Sequence, residues 1–436
     1  MANADLTAVV EALWCIPRPG PDNLLSAPTF VALSELCEAR YGRGKARFAL
    51  STALRSLGLP CMLPAKQAGL ALDPDDAAEA IEQAFGRTAI VRRHMCPLDL
   101  ADELPLLTFG RARVGKFSAK ELEAMFDAPK LARNFPTKPL EAKRLAQFHW
   151  LVVEEEVEID PRPEARSVPV LFMDMRRDFG EIEPYLGRFP PAVEAALVFL
   201  LLAPWEDWST MPEIDWRGFR TPWIYTIDGD LFVRPGVPPS PDSLTLEPWI
   251  VEDSWGEEVE LERPTTLLLD DAAKTGLTPF TDAAWEKLQA ARASSLFETP
   301  IVHFLVRAFL ADGMDEIMAH MTAIEAALGL EMDHKKWMRP KPDPHKKVSA
   351  TDRVVARLAA ILNDPQSAKT YKDLFELRSI FVHGRTGLQK VSTAKRVHAR
   401  RLARRVARAL VDAATQPAQP RGDIMNDLLD RGVPLL

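Results

Sequence analysis

The feature that most restricts the fold of this chain is a change of hydrophobic period near Phe280. Before it, from Leu151 to Leu269, apolar residues run in short β-prone stretches divided by turns, many of them proline-rich, such as Pro235-Gly-Val-Pro238-Pro239-Ser-Pro241. After it, the spacing is helical almost to the end: Ala283–Ser294, Pro300–Leu310, Met314–Leu328, Ala350–Leu362, Lys369–His383 and Thr393–Ala414. Helices that succeed one another through short connections pack as antiparallel neighbours. The expected architecture is mixed α+β, a strand-containing N-terminal region over residues 1–280 followed by an all-α bundle over 281–416. Residues 417–436 read as a peripheral tail. The N-terminal region divides further near residue 145, because residues before it mix short helices with proline-rich links. Within that first stretch Ser118-Ala-Lys-Glu121 has the form of a capping box opening a helix through Met125. The expected strands are Leu151–Ile159, Val168–Met173, Trp223–Ile227, Leu244–Val251, Val259–Leu261 and Thr265–Leu269.

With 436 residues, 47% hydrophobic and 27% charged, the chain is long enough for two or three folded domains and is not of disordered composition. Its four cysteines, Cys15, Cys37, Cys61 and Cys96, are far apart and share no metal-ligand spacing with histidine, so no metal site and no disulfide framework is expected. No cofactor motif is present, neither a Gly-rich phosphate loop nor a nucleophile elbow. The amino terminus lacks the pattern of a signal peptide, and the apolar run Ala192–Ala203 is too short to span a membrane. A cytoplasmic protein without a membrane partner is expected.

One helix of the C-terminal block breaks its own pattern. In Tyr371–Val382, an apolar stripe of Tyr371, Leu374, Leu377, Phe381 and Val382 contains Arg378. An unpaired buried guanidinium is costly, so Arg378 must meet a carboxylate or face a cleft that admits an anion. His383 follows, directly before Gly384, which suits a left-handed helix cap. On the earlier helix Ile317, Met321, Ile324 and Leu328 form a stripe with Glu325 at its edge. A Glu325–Arg378 ion pair would satisfy both charges without any catalysis, and His383 reads equally as a helix-capping residue, which leaves a structural and a catalytic reading of the same residues.

The string Leu377-Arg378-Ser379 followed by Val382-His383-Gly384 resembles the Arg-x4-His signature of the HEPN ribonuclease superfamily, most closely its ApeA-like branch. Ile324-Glu325-Ala-Ala-Leu-Gly329 is similar to the acidic residue and Leu-Gly ending of an earlier helix of that family. The likeness covers about the last third of the chain. It departs at Ser379, where many such nucleases carry Asn, Asp or His. The resemblance implies a HEPN-like bundle and a metal-independent endoribonuclease with Arg378 and His383 catalytic and Glu325 orienting. It also implies an isologous homodimer through the C-terminal bundle, and a role in antiphage defence by abortive infection, with tRNA as a candidate substrate and a phage-derived trigger acting on the N-terminal module. The chemistry is coherent: RNA supplies its own 2′-hydroxyl nucleophile, histidine exchanges protons near neutral pH, and arginine matches phosphate oxygens. In an ideal helix Arg378 and His383 point about 140° apart, so one site needs an unwound helix end or two chains.

The net charge is −8, yet the stretch from Arg385 to Val411 has no acidic residue. Arg400, Arg401, Arg404 and Arg405 lie there, with Val397, Leu402, Val406 and Leu410 at helical spacing. With Ser379 and Arg385 these arginines are candidate RNA contacts; the alternative is a solvated helix with outward charges. Six of the ten tryptophans, Trp205, Trp208, Trp216, Trp223, Trp249 and Trp255, fall in the middle region, as core or as a recognition surface. Asp228-Gly229-Asp230 reads as a hairpin turn. Two other functions compete with the nuclease: a non-catalytic RNA-binding or dimerisation scaffold, and the toxin of a toxin-antitoxin pair.

Overall fold

The structure is a computed structural model and describes residues 4–18, 20–42, 46–167, 178, 180–384, 390–414 and 419–436. The described residues are mixed, 54% helical and 13% strand. In chain order the α-helices are α1 (Ala4–Trp14), α2 (Pro28–Tyr41), α3 (Arg47–Leu57), α4 (Pro74–Gly86), α5 (Ala119–Met125), α6 (Ala128–Asn134), α7 (Ala142–Leu145), α8 (Pro163–Ser167), α9 (Pro191–Leu201), α10 (Trp205–Trp208), α11 (Ala272–Leu277), α12 (Asp282–Arg292), α13 (Ile301–Leu310), α14 (Gly313–Leu328), α15 (Glu331–His334), α16 (Ala350–Leu362), α17 (Pro365–Val382), α18 (Thr393–Ala413) and α19 (Arg421–Gly432). The strands are β1 (Ala89–Leu98), β2 (Leu107–Phe109), β3 (Ala112–Lys116), β4 (His149–Glu158), β5 (Tyr225–Asp228), β6 (Leu246–Glu252) and β7 (Glu258–Pro264). The chain forms two compact units that interleave in sequence, one of Met1–Asp99, Gly115–Ile182 and Thr221–Thr265, the other of Leu100–Val114, Glu183–Arg220 and Thr266–Leu436.

In the first unit β1 lies between β4 and β5, antiparallel to both, with His94 opposite Val153 on one side and Thr226 on the other. β1 was not among the expected strands because Arg92, Arg93 and His94 mask its alternation. The fold neutralises them: Arg92 Nε donates to Asp228 Oδ2 at 2.8 Å and Arg93 Nε to Glu154 Oε1 at 2.7 Å. One core joins Met95, Trp150 and Val152 to Leu122, Phe126 and Leu145, and a second is made by α1 to α4. The capping box of α5 is present, with Ser118 N donating to Glu121 Oε2 at 2.8 Å and Glu121 N to Ser118 Oγ at 3.3 Å.

The expected hairpin at Asp228-Gly229-Asp230 does not form. No strand follows β5 there; Gly229 N donates to Val91 O at 3.2 Å, and the segment is pinned by Lys130 Nζ, which donates to the carbonyls of Asp228 and Asp230. Buried Asp230 also accepts from Arg166 at 3.2 Å. Thr265–Leu269 likewise makes only isolated bridges at Thr266 and Leu269 and no strand. The strand expected over Val168–Met173 lies outside the described residues.

In the second unit residues 281–416 are joined by earlier segments. Gly110, whose φ of +55° turns the β2–β3 hairpin, donates its N–H to Asp282 at the start of α12 at 2.6 Å. α9, buried from Ala195 to Leu201 because it is apolar on every side, packs on α13. The expected stripe of α14 is the core: Ile317, Met321, Ile324 and Leu328 are fully buried. The segment 417–436 is not peripheral throughout. Helix α19 packs on α16 and buries Met425, Leu428 and Leu429, and Arg357 Nε of α16 donates to Met425 O at 2.9 Å. Apolar residues three and four apart make α19 amphipathic, and burial of that face holds it.

Candidate functional site

Helix α17 begins with a strong local signal. Asp364 caps it, accepting from the N–H groups of Gln366 and Ser367, and Pro365 occupies the first turn. Tyr371, Leu374 and Leu377 are buried, but the stripe then leaves the core: Phe381 is 42% and Val382 56% exposed. The helix closes as expected, with His383 N donating to Ser379 O at 3.0 Å and Gly384 at φ +59°. His383 is exposed at this terminus, and its ring makes no hydrogen bond with a described residue.

Arg378 is half-buried and forms an ion pair with Glu325 of α14. Its guanidinium also lies 5.8 Å from the centroid of the Phe375 ring. Tyr371, wholly buried, stands beside the same carboxylate. Burial pushes the Glu325 carboxyl up, and the Arg378 charge opposes that rise. Burial also pushes the Tyr371 phenol up, with the Glu325 charge adding to it. The Arg378 side chain is 27% exposed, and a guanidinium has five N–H donors, more than one carboxylate occupies. The fold thus brings Arg378, Glu325 and Tyr371 together and places Ser379 and His383 at the same helix end. Among the described residues no hydrogen bond joins Arg378 to His383, and Arg385 lies outside them.

The arginines of α18 are placed otherwise than expected. Val397, Leu402, Val406 and Leu410 are buried as their spacing implies, but Arg400 and Arg404 are buried too, at 3% and 7% exposure. Both point at Glu206 of α10, whose side chain has no exposed surface: Arg400 Nε donates to it at 3.1 Å and Arg404 Nε at 2.7 Å. Asp207 accepts from Arg401 Nη2 at 2.5 Å and from Arg404 Nη2 at 3.0 Å. Arg405 Nη1 reaches Asp364 Oδ2 and Ser367 Oγ, each at 3.1 Å. Burial lowers the Arg404 pKa and Glu206 opposes it. Arg400 and Arg404 are therefore buried ion-pair partners and not a free phosphate-binding face, whereas Arg401 and Arg405 pair with carboxylates while staying partly exposed. Their carboxylates for the most part lie about two hundred residues away in sequence, so the acid-free run from Arg385 to Val411 was misleading about local charge. The available signal was Glu206-Asp207, an acidic pair set between Trp205 and Trp208 in an apolar stretch.

Beside this cluster Glu316 of α14, buried, accepts from Trp216 Nε1 at 3.0 Å and from Arg396 Nη2 at 2.9 Å. Trp205, Trp208 and Trp216 are core, whereas Trp249 and Trp255 are 45% and 87% exposed. Among the described residues no group of three or more His, Cys, Asp and Glu is placed to hold a metal ion, and no helix is long and apolar enough to cross a membrane.

Comparison with known proteins finds no matching family model, no similar curated protein and no similar solved structure. The functional reading therefore rests on the residues at the end of α17.

Proposed function

We propose that the chain is a metal-independent endoribonuclease of HEPN type, with its reacting groups at the C-terminal end of α17. The observation that supports this is the exposed terminus itself, where Arg378 is held by Glu325 with its side chain partly exposed and His383 makes no hydrogen bond with a described residue. In this reading Arg378 binds the scissile phosphate and offsets the charge of the phosphorane. His383 takes the 2′-hydroxyl proton or delivers one to the leaving 5′-oxygen, giving a cyclic phosphate and a 5′-hydroxyl. Glu325 fixes the guanidinium plane. The divergence of the two side chains around the helix calls for two copies, each facing one cleft, and exposed Phe381 and Val382 at the same end suit a covered surface between them. The antiphage role, a tRNA substrate and a phage-derived trigger follow from the family resemblance only.

The test is incubation of wild type, His383→Ala and Glu325→Gln with total RNA in EDTA, with and without phage-infected lysate, followed by end-group analysis. Wild type should leave 5′-hydroxyl ends, and His383→Ala should lose about 10²–10⁴-fold in rate. Equal cutting by wild type and His383→Ala, or intact RNA under every condition, removes the proposal. A strictly monomeric enzyme in light scattering at assay concentration removes its two-copy form.

A second reading, a non-catalytic scaffold, is favoured by a different observation: the Arg378–Glu325 pair already satisfies both charges, and Arg400 and Arg404 of α18 are buried in ion pairs with Glu206. It requires that His383→Ala leave function intact.

A further inference from the structure

The second unit contains another cluster of cations, remote in sequence from α17. The stretch Pro184–Pro190 ahead of α9 and the helix α13 enclose a cleft of about 360 Å³. Two side chains that line it, Arg188 and Arg307, are exposed, and neither makes a hydrogen bond or ion pair with a described residue. The lining sets one carboxylate, Glu194, against these two cations, and it forms no ion pair with either among the described residues. Glu194 Oε1 accepts from Phe189 N at 3.2 Å, and Glu194 lies in the field of half-buried Arg292. Gly187 permits this closure, since a Cβ there would lie 2.4 Å from the Glu194 carboxylate oxygens.

The cleft therefore presents two guanidinium groups without an ion-pair partner among the described residues, an excess of positive charge suited to a dianion that each can approach with several donors. Its rim is aromatic and apolar. His303 in the lining packs edge-to-face with Tyr185, ring centroids 5.7 Å apart, and Tyr185 and Leu186 are 60% and 70% exposed. An exposed tyrosine ring is a stacking surface for a planar group. The volume is at the small end of ligand sites, enough for one nucleotide and not for a strand.

We infer that this cleft binds a phosphate monoester carrying a planar ring, the chemistry of a nucleoside monophosphate. It is independent of the nuclease proposal, since neither Arg378 nor His383 takes part.

Isothermal titration of the full chain with AMP, ribose 5-phosphate, adenosine and inorganic phosphate tests it. AMP should bind most tightly, and Arg188→Gln and Arg307→Gln should each weaken it roughly tenfold or more, the scale of a lost charge-assisted hydrogen bond. Tyr185→Ala should weaken AMP and leave ribose 5-phosphate unchanged. All three side chains are exposed, so unchanged thermal melting will show that the variants fold. Absence of AMP binding at millimolar concentration, or equal affinity in the double arginine variant, overturns the inference. Equal affinity for AMP and ribose 5-phosphate overturns its planar-ring half. Tighter, arginine-dependent binding of a single-stranded RNA oligonucleotide overturns the small-ligand assignment in favour of an RNA path.

Discussion

Replacing Glu206 by alanine isolates the contribution of the ion pairs that α18 makes. The carboxylate is fully buried and accepts from Arg400 Nε at 3.1 Å and Arg404 Nε at 2.7 Å. Arg404 would keep Asp207 at 3.0 Å, but Arg400 has no other partner among the described residues, and its Nη2 is already unpaired there. The substitution leaves one buried guanidinium uncompensated and a second with half its contacts. Breaking a buried pair from one side costs about 3–5 kcal/mol, a factor of about 150–5,000 in the unfolding constant. With a urea slope of about 2–3 kcal/mol per molar, the midpoint of this unit should fall by about 1–2.5 M. Buried Trp205, Trp208 and Trp216 report that unit by fluorescence. Glu206→Gln, which keeps an acceptor without the charge, should fall between the two. Pairing Glu206→Leu with Arg400→Met and Arg404→Met should recover part of the loss, because the orphaned charges are then gone. The reasoning is refuted if Glu206→Ala moves the midpoint by less than about 0.3 M, or if Arg400→Ala and Arg404→Ala abolish RNA binding at unchanged stability.

The remaining predictions concern pH and the C-terminal helix. His320 is buried with neither ring nitrogen hydrogen-bonded, and burial, with Arg400 and Arg217 adding repulsion, holds its pKa well below the usual value near 6.5. The unfolded chain takes up a proton that the fold refuses, so stability is intact above about pH 6.5 and falls by up to about 1.4 kcal/mol per unit below it. Glu316 at 3.9 Å and Glu325, both pushed up by burial, act in the opposite sense, so the measurement is the difference in urea midpoint between wild type and His320→Gln from pH 7 to 5. That difference should shift in favour of the variant as pH falls; a constant difference would show that His320 takes up its proton equally in the folded and unfolded chain. Met425→Ala in α19 should cost about 2–5 kcal/mol by opening a cavity against α16, and a loss below about 0.5 kcal/mol in denaturant unfolding would return α19 to a peripheral role.

What could be read from the sequence here was what depends on neighbours along the chain. The apolar spacing of α12 to α18, the Ser118–Glu121 box and the left-handed Gly384 are local matters of periodicity and backbone geometry, and the folded chain keeps them. Even the opposing charges of Glu325 and Arg378 were legible, because each interrupts an apolar stripe that must be buried. Charge alone was not enough for α18. A helix dense in arginine and free of acid looks like a phosphate-binding surface until Glu206 and Asp207 arrive from another part of the chain, and an ion pair is set by distance in space. Space also decides β1, where Arg92 and Arg93 meet their carboxylates, Asp228 and Glu154, only in the fold. Tertiary structure likewise decided that α19 is core, and that segments before residue 280 join the helices after it. Local pattern chose the elements, and long-range burial and charge pairing chose which of their faces meet water.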